Sequence, residues 1–122
     1  MSRLRVGIDL VQISRIAASV DEFGDRFLER VFTPTERDYA AGVAERLAAR
    51  FAAKEAAKKA LALDGIGWRD IEVRRGPTGA LDLYLHGAAR AAADALGAHD
   101  LALSMSHEGD YATAIVIAQC SR

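Results

Sequence analysis

The chain has 122 residues, 51% of them hydrophobic and 27% charged, with a net charge of −1. This is the length of one domain, residues 1–122, with enough apolar side chains for a core. The balance excludes a disordered or fibrous chain and a dedicated nucleic-acid binder, for which a strongly basic surface is expected. No apolar run approaches the ~20 residues that cross a bilayer, and no basic-then-apolar leader opens the chain. No membrane partner is therefore expected, and the expected location is the cytoplasm. Cys120 is the only cysteine and cannot form an internal disulfide.

Leu4 to Val11 alternates, which predicts a strand with Leu4, Val6, Ile8 and Leu10 on its buried face. Asp9 falls on the other face beside Gly7, where the missing side chain leaves room for a ligand. A carboxylate at that place reads as a helix cap, a surface residue or a ligand. Ser14 to Phe23 carries Ile16, Ala17, Val20 and Phe23 at helical spacing, stops at Gly24 and turns Arg15 away from the stripe. Phe27, Leu28, Val31 and Phe32 predict a second turn or short helix. Thr33-Pro34-Thr35-Glu36 is a helix start with a capping box and proline at the first position, a structural signal. Gly42 ends that helix.

Arg46 to Leu61 has no glycine, proline or β-branched residue, and its Ala, Leu, Arg, Lys and Glu are strong helix formers. At about 100° per residue, Ala48, Ala52, Ala56 and Ala60 run down one side, while Leu47, Phe51 and Leu61 lie on roughly the opposite one. Two apolar faces predict a helix covered on much of its circumference. Arg50, Lys54, Glu55 and Lys59 sit in the gaps, and partly buried charges need partners. The expected stop is Asp64-Gly65-Ile66-Gly67. Ile71-Glu72-Val73 and Leu81 to Leu85 flank Gly76-Pro77-Thr78-Gly79 as a hairpin. Gly87 to Leu96 is an Ala-rich helix ending at Gly97, and Leu101–His107 with Tyr111–Ala118 forms a second hairpin. The class is α+β, a long helix on a small, largely antiparallel sheet.

The histidines lack metal-ligand spacing, and His86 and His99 are expected at the surface. Adjacent strand residues point to opposite faces, which separates Ser106 from His107 and disfavours Ser-His hydrolase chemistry. Asp9 and Glu55 are carboxylates in apolar surroundings, and Mg²⁺ takes one or two carboxylates plus substrate phosphates. Arg50, Lys54 and Lys59 could hold phosphate oxygens. The competing reading is a Glu55–Lys59 surface pair worth about 0.3 kcal/mol.

The blocks Gly7-Ile8-Asp9-Leu10 with Arg15-Ile16, Phe32-Thr33-Pro34-Thr35-Glu36, Arg50 to Leu61 and Ser104 to Ala114 together resemble the holo-[acyl-carrier-protein] synthases. These are the small 4′-phosphopantetheinyl transferases, and the resemblance covers nearly the whole chain. It implies their fold and the transfer of 4′-phosphopantetheine from coenzyme A to a serine of an acidic apo acyl carrier protein, leaving 3′,5′-ADP. It further implies Mg²⁺ on Asp9 and Glu55, with Lys59 also catalytic. Arg50, Lys54, Lys59, Ser106 and His107 would bind the co-substrate coenzyme A, and Arg15 the carrier. A homotrimer with sites at subunit interfaces is implied as well. The chain departs from the family around Gly76-Pro77-Thr78-Gly79, where Gly-Lys/Arg-Pro is usual, and at Glu108, where many members have Thr. Two other classes share these ligands: a trimeric binding module without transfer, and a small Mg²⁺-dependent phosphohydrolase.

Overall fold

The computed structural model describes residues 2–121. The elements run β1 (Arg3–Gln12), α1 (Ile13–Phe23), α2 (Asp25–Val31), α3 (Pro34–Ala40), α4 (Ala44–Leu61), one 3₁₀ turn (Trp68–Asp70), β2 (Ile71–Arg75), β3 (Leu81–Leu85), α5 (Gly87–Ala95), β4 (Ala98–Glu108) and β5 (Tyr111–Cys120). The α+β class and the element order are those expected, but the strands form two sheets. One has the order β1-β5-β4 and the other pairs β2 with β3, all antiparallel.

The long helix α4 lies across β1 and β5 and is the centre of the core. Its Ala48, Ala52, Ala53, Ala56, Ala57 and Ala60 are all buried, and so are Leu47 and Leu61 on the other side. Small side chains let the helix backbone come down onto the sheet. At Gly7 the approach is so close that an added Cβ would fall 2.0 Å from the Ala56 carbonyl oxygen. The room that Gly7 leaves is therefore filled by α4 and not by a ligand.

That contact also reverses the expected inside and outside of β1. Only the Gly7 face can accept a helix at this distance, so Gly7, Asp9 and Val11 turn inward. Leu4, Val6, Ile8 and Leu10 face outward, 72%, 62%, 61% and 66% exposed in the single chain. The register sets Val6 opposite Ile117 and Ile8 opposite Ile115 of β5, widening the same apolar face.

Local signals hold elsewhere. Thr33 and Glu36 close the capping box of α3, and Gly24 ends α1 at φ 54°. Helix α4 stops three residues ahead of the expected Asp64, with Ala62 taking the left-handed conformation at φ 53°. The start of α1 is capped from afar. Asp110, in the β4–β5 turn, accepts hydrogen bonds from the Ser14 amide (2.9 Å) and hydroxyl (2.6 Å). Its carbonyl takes the Ile13 amide at 2.7 Å. The hairpin is thereby tied to the helix that carries Arg15.

Candidate active site

Strand β1 delivers Asp9 and helix α4 delivers Glu55 to the wall of one cleft of about 400 Å³, with Gln12, Arg15, Phe27 and Phe51 around them. The backbone on the strand side is held: Thr113 donates its hydroxyl to the Asp9 carbonyl at 2.8 Å. Lys59 reaches over from α4 with its Nζ 3.1 Å from Asp9 Oδ1 and 2.9 Å from the Ile8 carbonyl. Its carboxylate partner is thus Asp9, not the Glu55 one turn back. Burial, and next the negative charge of Asp9, push the Glu55 carboxyl above the ordinary glutamate range, against the pull of Lys58 and Lys59. Two carboxylates that repel each other in a cleft form an oxygen donor set that a hard divalent cation relieves. Among the described residues there is no group of three or more His, Cys, Asp or Glu placed to cage a metal.

Arg50, Ser106 and His107 gather at a different cleft, also about 400 Å³, with Tyr39, Glu45 and Arg46. The Arg50 guanidinium lies 4.2 Å from the centre of the Tyr39 ring, and its Nε has no hydrogen-bond partner although it is buried. Burial lowers the Arg50 pKa, only partly offset by Tyr39 and Glu36. A hydrogen bond from Arg75 draws the Tyr39 phenol down; burial opposes this, and the charges of Arg50, Arg75 and Arg46 assist it. An under-partnered guanidinium in a cationic cleft suits a phosphate. His107 Nδ1 is 3.7 Å from a Glu45 carboxylate oxygen.

Within one chain these two groups do not meet. Arg50 and Glu55 are five residues apart, about 140° around the helix, and so they open into separate clefts. Lys54 joins neither. Its side chain sees no solvent: the ammonium is 2.7 Å from Glu36 Oε1 and donates to the carbonyls of Trp68 (3.1 Å) and Ile71. All three donors are spent inside the protein, which corrects the expectation that Lys54 binds coenzyme A phosphate. Glu36 is as deeply buried. Its Oε1 accepts the Thr33 amide (2.9 Å) and its Oε2 the Val73 amide (2.8 Å).

Sequence reasoning passed over Glu36, Tyr39, Arg46 and Arg75. Glu36 was legible only as a helix cap, and the arginines only as charged residues. It also passed over an apolar cleft of about 410 Å³ beside Glu55, lined by Phe23, Arg26, Phe27, Arg30, Phe51 and Trp68. Phe27 and Phe51 are shared with the carboxylate cleft. Lys58 covers the outer side of Trp68, its Nζ 3.6 Å from the ring centre.

Residues 5–116 match the family model described as the 4'-phosphopantetheinyl transferase superfamily. The chain is 48% identical over 120 residues to the holo-[acyl-carrier-protein] synthase of Koribacter versatilis, covering 93% of this chain and 96% of that protein. It superposes on an ACPS–CoA complex from Chronobacterium ammoniagenes with a TM-score of 0.85 at 38% identity, covering 98% and 99% of the two chains. The Helicobacter pylori holo-[acyl-carrier-protein] synthase, solved in complex with coenzyme A, gives a TM-score of 0.83 at 32% identity, covering 93% and 98%.

Proposed function

Because the chain belongs to the 4′-phosphopantetheinyl transferase superfamily, we infer that it moves 4′-phosphopantetheine from coenzyme A to a serine of an apo acyl carrier protein. The observation that carries this reading is the Asp9–Glu55 pair, set together from strand and helix with Lys59 beside it. In the reaction the serine oxygen forms a bond to the β-phosphorus as the bond from that phosphorus to the bridging pyrophosphate oxygen breaks, and 3′,5′-ADP leaves. Mg²⁺ held by Asp9 and Glu55 would neutralise charge on the pyrophosphate. Lys59 adds a cation at the same edge, its side chain 55% exposed. The serine proton needs an acceptor. Glu55, at the wall of the cleft, is placed to take that proton directly or through a water it orients.

Arg15 stands on the rim of the carboxylate cleft, and Arg26 and Arg30 flank the neighbouring aromatic one. An apolar groove edged with arginines suits an acidic amphipathic helix, the chemistry expected of a carrier protein. The outward face of β1 and β5 supports the homotrimer: Leu4, Val6, Ile8, Leu10 and Ile117 are an apolar surface of the kind that marks an interface. We propose that a neighbouring subunit seated there completes the site, because within one chain the Arg50–Ser106–His107 group and the Asp9–Glu55 group open into separate clefts. Substituting Ile8→Asp should release monomers in sedimentation and abolish transfer; an active trimer in that variant would remove this face from the assembly.

The test of function is direct. The protein, an apo acyl carrier protein, coenzyme A and Mg²⁺ are incubated, and the carrier is weighed by mass spectrometry. A gain of one phosphopantetheine is expected, and no gain with any acidic carrier would end the transferase reading.

A further inference from the structure

We propose that the buried Lys54–Glu36 pair is the positioning device of the site: it sets the rotation and axial position of α4 and thereby holds Glu55 opposite Asp9. The need for such a device follows from the packing. Helices usually lock against their neighbours by ridges of side chains in grooves. The sheet-facing side of α4 is alanine, at Ala48, Ala49, Ala52, Ala53, Ala56, Ala57 and Ala60. That side allows a close approach, with Gly7 under Ala56, but its small side chains resist sliding or turning only weakly. The hold on α4 therefore comes from the opposite side, where Leu47, Leu61 and Lys54 are buried. A slip of one residue moves the helix 1.5 Å and turns it about 100°. Glu55 would then leave the cleft that Asp9 lines.

Lys54 supplies what the alanine side lacks. From the residue next to Glu55, its ammonium reaches Glu36 of α3 and the carbonyls of Trp68 and Ile71 at the head of β2. Glu36 binds the Thr33 amide at the start of α3 and the Val73 amide of β2. One charge pair thus references α4 to α3, to the 3₁₀ turn and to the second sheet. Thr33 extends the frame by giving its hydroxyl to Glu72 at 2.6 Å. Stability is a poor explanation for the pair, because desolvating two charges costs about what their attraction returns, and apolar replacements of buried pairs are often neutral or better. Fixing one arrangement among several is the use that remains.

Lys54 touches no substrate and acts through Glu55. Misplacing a reacting group by about 1 Å can cost about 100-fold in rate, and loosening the supports of a metal ligand costs about 10–100-fold in affinity. The test uses two variants of the full chain, Glu36→Gln/Lys54→Met, which removes both charges together, and Lys54→Arg, which keeps the charge but changes its length. Folding and assembly are followed by circular dichroism and sedimentation, Mn²⁺ binding by paramagnetic resonance without coenzyme A, and kcat and KM by carrier loading. The double variant should remain folded, bind Mn²⁺ about 10-fold more weakly and lose about 10–100-fold in kcat, with KM for coenzyme A changed far less. Lys54→Arg should show the same pattern in smaller measure. A folded variant of either kind with the original Mn²⁺ affinity and kcat would overturn the proposal; should the double variant not fold, Lys54→Arg decides. Only the kcat arm rests on the transferase reading. An unaltered protein that bound Mn²⁺ but loaded no carrier would sink that reading, while the Mn²⁺ comparison would still judge the positioning role.

Discussion

Two lysines five residues apart on α4 each meet a carboxylate, and the outcomes differ. Lys54 and Glu36 are 2.7 Å apart with both side chains fully buried. Lys59 and Asp9 are 3.1 Å apart, with the lysine 55% and the aspartate 18% exposed. The first pair is enclosed by carbonyls and amides that leave it no other partner, whereas the second lies at the edge of a cleft where water, a cation or phosphate can compete. Similar charges therefore make a fixed strut in one place and an exchangeable contact in the other, and the surroundings decide which.

The largest effect should come from the exchangeable side. Glu55→Ala or Asp9→Ala removes half of the oxygen donor set and should lower kcat/KM about 1000-fold, the loss of several kcal/mol of charge stabilisation, while thermal denaturation is nearly unchanged. Near-normal turnover in either variant would detach that carboxylate from the chemistry. Lys54→Ala is next: it strands Glu36 as a buried unpaired charge and should cost about 3–5 kcal/mol in chemical denaturation. A cost below about 1 kcal/mol would place the pair with ordinary surface contacts. Lys59→Ala should show the inverse profile, with stability within about 1 kcal/mol and a clear loss of transfer rate. If it destabilised the fold as much as Lys54→Ala, the contrast between the pairs would collapse.

Acidity gives the smallest and most graded test. The Glu55 pKa is raised, so without a cation the folded chain gains stability from a protonated Glu55 at low pH and loses it as pH rises through the raised value. A cation needs the ionised form, so Mn²⁺ affinity should fall on acidification beginning above the ordinary glutamate range, and Glu55→Gln should abolish that dependence. Glu72 has the opposite sign. Burial would raise its pKa, but the Thr33 hydroxyl, His86 and Arg74 prevail and lower it. Its contribution is present above the unfolded value and lost as pH falls through the depressed one. A Glu55 titration below the ordinary glutamate range, or a Glu72 titration above it, would contradict the corresponding assignment.

Much of the fold was legible because local rules and tertiary contacts agree: the capping box at Thr33, the glycine stop at Gly24, the hairpin at Glu108-Gly109-Asp110. The face of β1 was misread because alternation marks two faces without saying which is covered. The deciding fact is non-local, the fit of α4 onto Gly7, and the apolar side is left exposed in the single chain. The end of α4 was misplaced because Ala62 takes a conformation for which glycine is the usual signal. Within the site, Asp9, Glu55 and Lys59 lie near one another, a grouping that the resemblance implied, whereas spacing alone pointed to a Glu55–Lys59 pair and Lys59 meets Asp9 instead. Lys54 does not join them, because a helix pattern shows that a charge lies between apolar faces but not whether ligand or protein fills the space beyond it. Glu36 was hidden by doing two jobs, closing the cap with the same carboxylate that meets Lys54.

The central claim, transfer to a protein acceptor at the Asp9–Glu55 pair, is most directly tested by counting both products in one tube. Phosphopantetheine gained by the carrier is measured by mass and 3′,5′-ADP by chromatography, with Glu55→Gln in parallel. The account predicts one 3′,5′-ADP for each carrier loaded, and neither product from the variant. Nucleotide released without a loaded carrier, or loading that persists in Glu55→Gln, would contradict it.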